Sequence, residues 1–105
     1  MKRILATAAA AMAFTPATAD ATDLSSTAYC DSGRMADGTQ TRPGSVASNL
    51  YRLGTRLRVS RSPYGRGQVF VVRDRVGWGS SLDFYVASCS RARYWGRRTV
   101  HVHII

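Results

Sequence analysis

Glutamate is missing from this 105-residue chain, and lysine occurs once, at Lys2. Every acid is therefore an aspartate, and a carboxylate chemistry has few candidates to draw on. Cysteine is limited to Cys30 and Cys89, with no CxxC or Cys/His signature. Long apolar runs are absent beyond the first residues, so no stretch reads as a permanent transmembrane helix. Helical periodicity is scarce too, which excludes a bundle. No Arg/aromatic platform of the RNA-binding kind is visible, and no nucleic-acid partner is expected.

The apolar stretch at the start has its own reading. Lys2 and Arg3 form a positive n-region, Ile4 to Phe14 a short Ala-rich h-region, and Ala17-Thr18-Ala19 a small-x-small cleavage site. Ala19-Asp20-Ala21 is a second cleavage option. Residues 1–19 thus read as a secretory signal peptide. The expected product is an exported protein of the periplasm or cell envelope, with no membrane span and expected to be a monomer. Residues 20–26 are polar and read as a flexible lead-in, and 27–105 as one small domain. A core of that size needs a staple. In an exported chain an even cysteine pair reads as a disulfide, Cys30–Cys89; free or catalytic thiols are the alternative.

What is abundant is arginine. The net charge is +9, and +7 once Lys2 and Arg3 are removed. A basic exported domain favours polyanions such as anionic wall polymers, and Arg grips carboxylate or phosphate bidentately. Solubility and coding bias explain the same excess.

Strand patterns fill the domain. Thr27–Cys30 reads as a first strand, and Asp31–Gly44 as a loop of turn residues. Ser45–Ser48 is a short strand, and Thr55–Ser60 alternates with Leu57 and Val59 on one face. Val69–Val72, apolar on both faces, reads as a central strand. Leu82–Tyr85 is another strand. Ser88 as N-cap and Gly96 as stop bracket a helix of about two turns. Thr99–Ile105 alternates again. Val46-Ala47-Ser48 and Gly54-Thr55-Arg56 echo Val86-Ala87-Ser88 and Gly96-Arg97-Arg98 at offsets of 40 and 42 residues. The echo suits a small closed barrel with two-fold pseudo-symmetry and no exposed edges.

The stretch from Val69 to Tyr85 carries the chemistry. Asp74 ends an apolar strand, a turn with Gly77, Trp78, Gly79, Ser80 and Ser81 follows, and Asp83 lies between Leu82 and Phe84. Two carboxylates at adjoining strand ends suit an acid–base site; pairing with Arg or capping a turn is the structural alternative. Trp78 suits stacking on a sugar face or covering the barrel end. Asn49 suits a hydrogen bond to a sugar amide or to its own turn. Tyr94 and Trp95 read as core. His101 and His103 share one strand face, read as solvated, and lack a third metal ligand. No metal or cofactor is expected.

The ordered set Thr27-Ala28-Tyr29-Cys30, Ala36-Asp37-Gly38-Thr39, Pro43-Gly44-x-Val46-Ala47, Leu53-Gly54-Thr55-x-Leu57-x-Val59, Asp74-x-x-Gly77, Leu82-Asp83-Phe84-Tyr85 and Ala92-x-x-Trp95-Gly96 resembles the three-aspartate (3D) domain family. The resemblance implies a mainly β fold, a small six-stranded double-psi β-barrel with one or two short helices. It also implies relation to the catalytic barrel of membrane-bound lytic transglycosylase A, and more distantly to rare lipoprotein A and expansins. The implied activity is cleavage of peptidoglycan between N-acetylmuramic acid and N-acetylglucosamine without water. By position Asp83 matches the family's catalytic aspartate and Asp74 an earlier one. Asn49 falls where the third aspartate is found, and the Asp74–Gly77 turn is altered and its connection shorter. Asn49, Trp78, Gly77 and Tyr85 are the candidate contacts to glycan strands. The alternative is a non-catalytic, expansin-like barrel that binds wall polymers.

Overall fold

A computed structural model describes residues 21–105. The leader read at residues 1–19 lies outside the described residues. The elements are β1 (Ala21–Tyr29), β2 (Ser45–Ala47), β3 (Arg56–Val59), β4 (Arg61–Ser62), β5 (Gly65–Arg66), β6 (Val69–Asp74), β7 (Leu82–Tyr85), α1 (Cys89–Trp95) and β8 (Arg98–Ile104). Six of the strands close a barrel in the order β1-β7-β2-β6-β3-β8, while β4 and β5 form a separate two-stranded ribbon. The small, mainly β six-stranded barrel expected from the sequence is what the chain forms, with one short helix among the described residues.

Alternation builds the core. On β3, β6, β7 and β8 the residues Leu57, Val59, Phe70, Val72, Leu82, Phe84, Val100 and Val102 all point inward and are fully buried. Phe84 is central, meeting Phe70 and Trp95 edge-to-face with ring centroids 4.9 and 5.7 Å apart. The inward positions are apolar and large enough to fill a six-stranded interior, so the barrel is a packed core rather than a channel.

Two interlocked halves explain the closure. The parallel pair β1–β7 has a counterpart in β6–β2, and the antiparallel pair β1–β8 a counterpart in β6–β3. The N–H groups of Ser48 and Val86 play the same part, donating to the last carbonyls of β6 and β1, at Asp74 and Tyr29. Gly54 and Gly96 also correspond. Each has a positive φ, 93° and 62°, just before β3 and β8, a conformation costly for any residue with a Cβ. The glycine half of the sequence echo is thus structural. Its Val46/Val86 half is out of register, because Val46 lies inside β2 and Val86 just beyond β7.

The first strand begins six residues earlier than Thr27, so Ala21–Ser26 is not a flexible lead-in but pairs with β8. The alternation there is masked because an inward position is polar. Ser26 is buried, donates to the Arg98 carbonyl at 2.7 Å and accepts from Trp95 Nε1 at 3.1 Å. Tyr94 also departs from its expected core place. Ala92 and Trp95 form the inner face of α1, and Tyr94 is 82% exposed, with the Arg98 guanidinium 5.4 Å from its ring centre.

The disulfide Cys30–Cys89 ties the end of β1 to the start of α1 across 59 residues, and no described cysteine is free. On the chain-entropy account it stabilises by about 4 kcal/mol. The double variant Cys30→Ser/Cys89→Ser should lose about 2–4 kcal/mol in urea unfolding. Ser26→Ala should cost about 1–3 kcal/mol, since it strands the buried Trp95 N–H and the Arg98 carbonyl. Adding Trp95→Phe to Ser26→Ala should cost less than the sum of the single changes in the same assay, because the orphaned donor goes too.

Candidate functional site

The short strand β2 organises the site. Its residue Ala47 is in register with Asp83 of β7 on one side and Asp74 of β6 on the other. The second pairing depends on an irregularity. Val46 pairs Val72 but Ala47 pairs Asp74, so Arg73 is bulged out of the ladder. Such a bulge re-aims side chains: here it advances Asp74 by one place and brings both carboxylates to the same stretch of barrel wall.

Each aspartate has a different environment. Asp83 is half-buried on the outer face of β7, opposite the fully buried Leu82 and Phe84. Its Oδ1 accepts from Thr27 Oγ1 at 2.9 Å. That hydroxyl also bonds Ser80 Oγ at 2.8 Å. Burial raises the Asp83 carboxyl above its usual range; the Thr27 bond lowers it, and the negative charge of Asp74 raises it further. Asp74 Oδ1 accepts two backbone hydrogen bonds, from the N–H groups of Ala36 at 3.0 Å and Arg75 at 2.9 Å. Asp74 is thus held by backbone N–H groups, and Asp83 is its partly desolvated neighbour.

Neither flanking arginine neutralises the pair. Arg73 pairs with Asp37 at 3.2 Å, and Asp37 is held below the usual range chiefly by its hydrogen bonds from Thr39, with Arg73 adding. Arg75 turns into the 48–51 turn, donating to the carbonyls of Ser48 and Tyr51 at 2.8 and 2.6 Å.

Tyr29 was not singled out from the sequence. It sits on β1 in register with Tyr85, and the two rings meet edge-to-face at 5.5 Å. Its hydroxyl is buried and has no hydrogen-bond partner. Burial, then the charges of Asp74 and Asp83, push the phenol far above its usual range, so it stays a neutral O–H donor beside two carboxylates. The available signal was spacing: Tyr29 is two residues from Thr27 on one strand and so shares its face. Using it required knowing that β1 runs parallel to β7.

The remaining candidates divide. Asn49 is committed to the turn: its amide donates to the Val76 carbonyl at 2.8 Å and accepts from the Val76 N–H at 3.1 Å. It anchors the connection that bears Gly77 and Trp78. Arg97 ties the same connection down, donating to Ser25 Oγ and to the Gly79 carbonyl. Trp78 is 91% exposed, so it does not cover the barrel end. Gly77 is exposed, with open space where a Cβ would be. Tyr85 is buried behind Tyr29 and accepts through its carbonyl from Tyr64. An open cleft of about 370 Å³ starts at Thr27 and Tyr29 and runs past both cysteines to Arg93. His101 is engaged with Asp23, Nδ1 to Oδ1 at 2.6 Å. No group of three metal-ligating side chains occurs among the described residues.

No protein-family model matches this sequence, and no curated protein matches it.

The raised carboxyl of Asp83 has a consequence for stability. An ionised Asp83 destabilises the fold, so its favourable contribution is present at low pH and lost as pH rises through the folded-state value. Asp83→Asn should therefore be more stable than the wild type at neutral pH, in thermal unfolding followed by circular dichroism. The advantage should disappear below about pH 3.9, the unfolded-state value.

Proposed function

We propose that this barrel is an exported peptidoglycan lytic transglycosylase of the three-aspartate type, with Asp83 as its acid–base group. The observation that carries the reading is the desolvated Asp83 carboxyl beside the charge of Asp74. The ordered motifs from Thr27 to Trp95, including Asp74-x-x-Gly77 and Leu82-Asp83-Phe84-Tyr85, support the family assignment. The apolar leader and the Cys30–Cys89 bridge support export.

The chemistry needs one carboxyl used twice. Protonated Asp83 donates to the glycosidic oxygen as the C1–O bond breaks through an oxocarbenium-like state. The carboxylate left behind takes the proton from the muramic sugar's own primary hydroxyl, whose oxygen closes on C1. The product is an anhydro-muramyl end, Asp83 regains its proton, and no water is consumed. Thr27 orients the carboxyl through its hydroxyl. Trp78 offers an exposed face for a sugar ring.

A second reading, a wall-binding barrel without catalysis, has one specific observation in its favour. Asn49 stands where the third aspartate is found, and its amide is committed to Val76.

Mass spectrometry of purified sacculi incubated with the 20–105 protein separates the two. Wild type should release anhydro-muropeptides, and Asp83→Asn should lower release by about 10²-fold or more while still folding. Because Asp83 works protonated, activity should fall as pH rises through its raised value. Asp74→Asn removes a raising charge and should move that fall to lower pH. Wild-type binding to sacculi without any anhydro product would establish the second reading.

A further inference from the structure

Four exposed arginines, Arg56, Arg58, Arg61 and Arg66, follow one another along β3 and the β4–β5 ribbon. In the ring β1-β7-β2-β6-β3-β8, the pair β3–β8 is diametrically opposite β7–β2. On the outer face of β3, Arg56 and Arg58 are both exposed, two residues apart and so on one side of the strand. The chain continues from β3 into β4, where Arg61 faces Arg66 across the ribbon. Arg61 reaches over β8 to the Thr99 carbonyl, and Arg58 bonds the Gly67 carbonyl. His103 is in register with Arg58. The acid on this side, Asp23, is engaged by His101. Among the described residues only Arg73 forms an arginine–carboxylate ion pair, so these four guanidiniums have no counter-charge.

We infer that the β3–β8 face, with Arg56, Arg58, Arg61 and Arg66, is a docking surface for a linear, base-free phosphate polymer. The cations are all guanidiniums, whose forked donors match phosphate oxygens. Arg58 and Arg61 each spend a donor on a carbonyl, which holds the fork in place and leaves the other N–H groups free. The two most exposed aromatics, Trp78 and Tyr94, lie on the β6–β7 connection and on α1. The rings that β3 and β8 themselves carry are His101 and His103, and His101 is engaged by Asp23, so these strands offer bases no Trp, Tyr or Phe to stack on. Its exposed large apolar side chains are Ile104 and Ile105 at one rim, too little for burial in a lipid interface. What remains is an extended row of charge that suits a flexible polyanion lying along the strand. This surface is independent of the chemistry assigned to Asp83.

Fluorescence anisotropy with labelled inorganic polyphosphate tests it. Four arginine–phosphate contacts predict a log–log salt slope of about −3, at ~0.7 per contact. Arg56→Ser/Arg58→Ser should weaken binding about tenfold at 50 mM salt and reduce that slope by about 1.4. Arg61→Ser/Arg66→Ser should do the same, and a circular-dichroism spectrum confirms that each variant folds. The charge-matched control Arg34→Ser/Arg42→Ser, on the loop that leads into β2 across the ring from this face, and Asp83→Asn should leave binding within about twofold of wild type. Equal losses in the control would overturn the proposal, as would no polyphosphate binding by wild type. Tighter binding of duplex DNA or of phosphatidylglycerol vesicles than of polyphosphate would overturn it in favour of those partners.

Discussion

Ala47 is paired on both sides at once, with Asp83 in one neighbouring strand and Asp74 in the other. The rest of the site depends on this double pairing. β2 has only three residues, and alone it would not hold two strands in register. Closure of the ring supplies the missing constraint, because β7 and β6 are themselves fixed by β1 and β3. Their inward residues pack on Phe84 and Phe70, so a shift of either carboxylate along its strand would expose core side chains. The bulge at Arg73 is the exception that sets the geometry. It is held by the Asp37 N–H on the Arg73 carbonyl and by the Arg73–Asp37 ion pair, so the 36–39 loop has a direct part in placing Asp74.

The same wall sets the charges around the two carboxylates. Aspartates 74 and 83 sit on β6 and β7, either side of β2, and the unpaired Arg56 and Arg58 on β3, beyond β6. Partial burial and a neighbouring anion act on Asp83 without a compensating cation, because Arg73 and Arg75 are engaged elsewhere. Burial is the first cause of the raised proton affinity, and the Asp74 charge adds to it.

Much of this is legible in the sequence. Strict alternation at Leu57/Val59 and Val100/Val102 marks half-buried strands because one face of each meets the core and the other meets water. Ser88 and Gly96 bracket α1 because a hydroxyl and a positive-φ glycine meet the needs of helix ends. The misses have physical causes too. Ser26 breaks the apolar alternation of β1 because its hydroxyl serves Trp95 and Arg98 inside the barrel. Tyr94 looked like core, but one residue along a helix turns the side chain by about 100° from Trp95. Asp74 and Asp83 could be nominated as a pair, yet Tyr29 could not join them, since parallel pairing between β1 and β7 is a property of the closed ring. The directions of Arg73 and Arg75 were equally invisible, being set by Asp37 and by the 48–51 turn.

The proposed chemistry needs Asp83 to hold its proton above the ordinary aspartate range, through burial and the charge across Ala47. Carbon-13 NMR titration of the side-chain carboxyls measures this directly. The Asp83 signal should titrate above the usual aspartate midpoint of about 3.9, and Asp74→Asn should lower its midpoint. A midpoint at or below the ordinary value, unmoved by Asp74→Asn, would contradict the proposed chemistry.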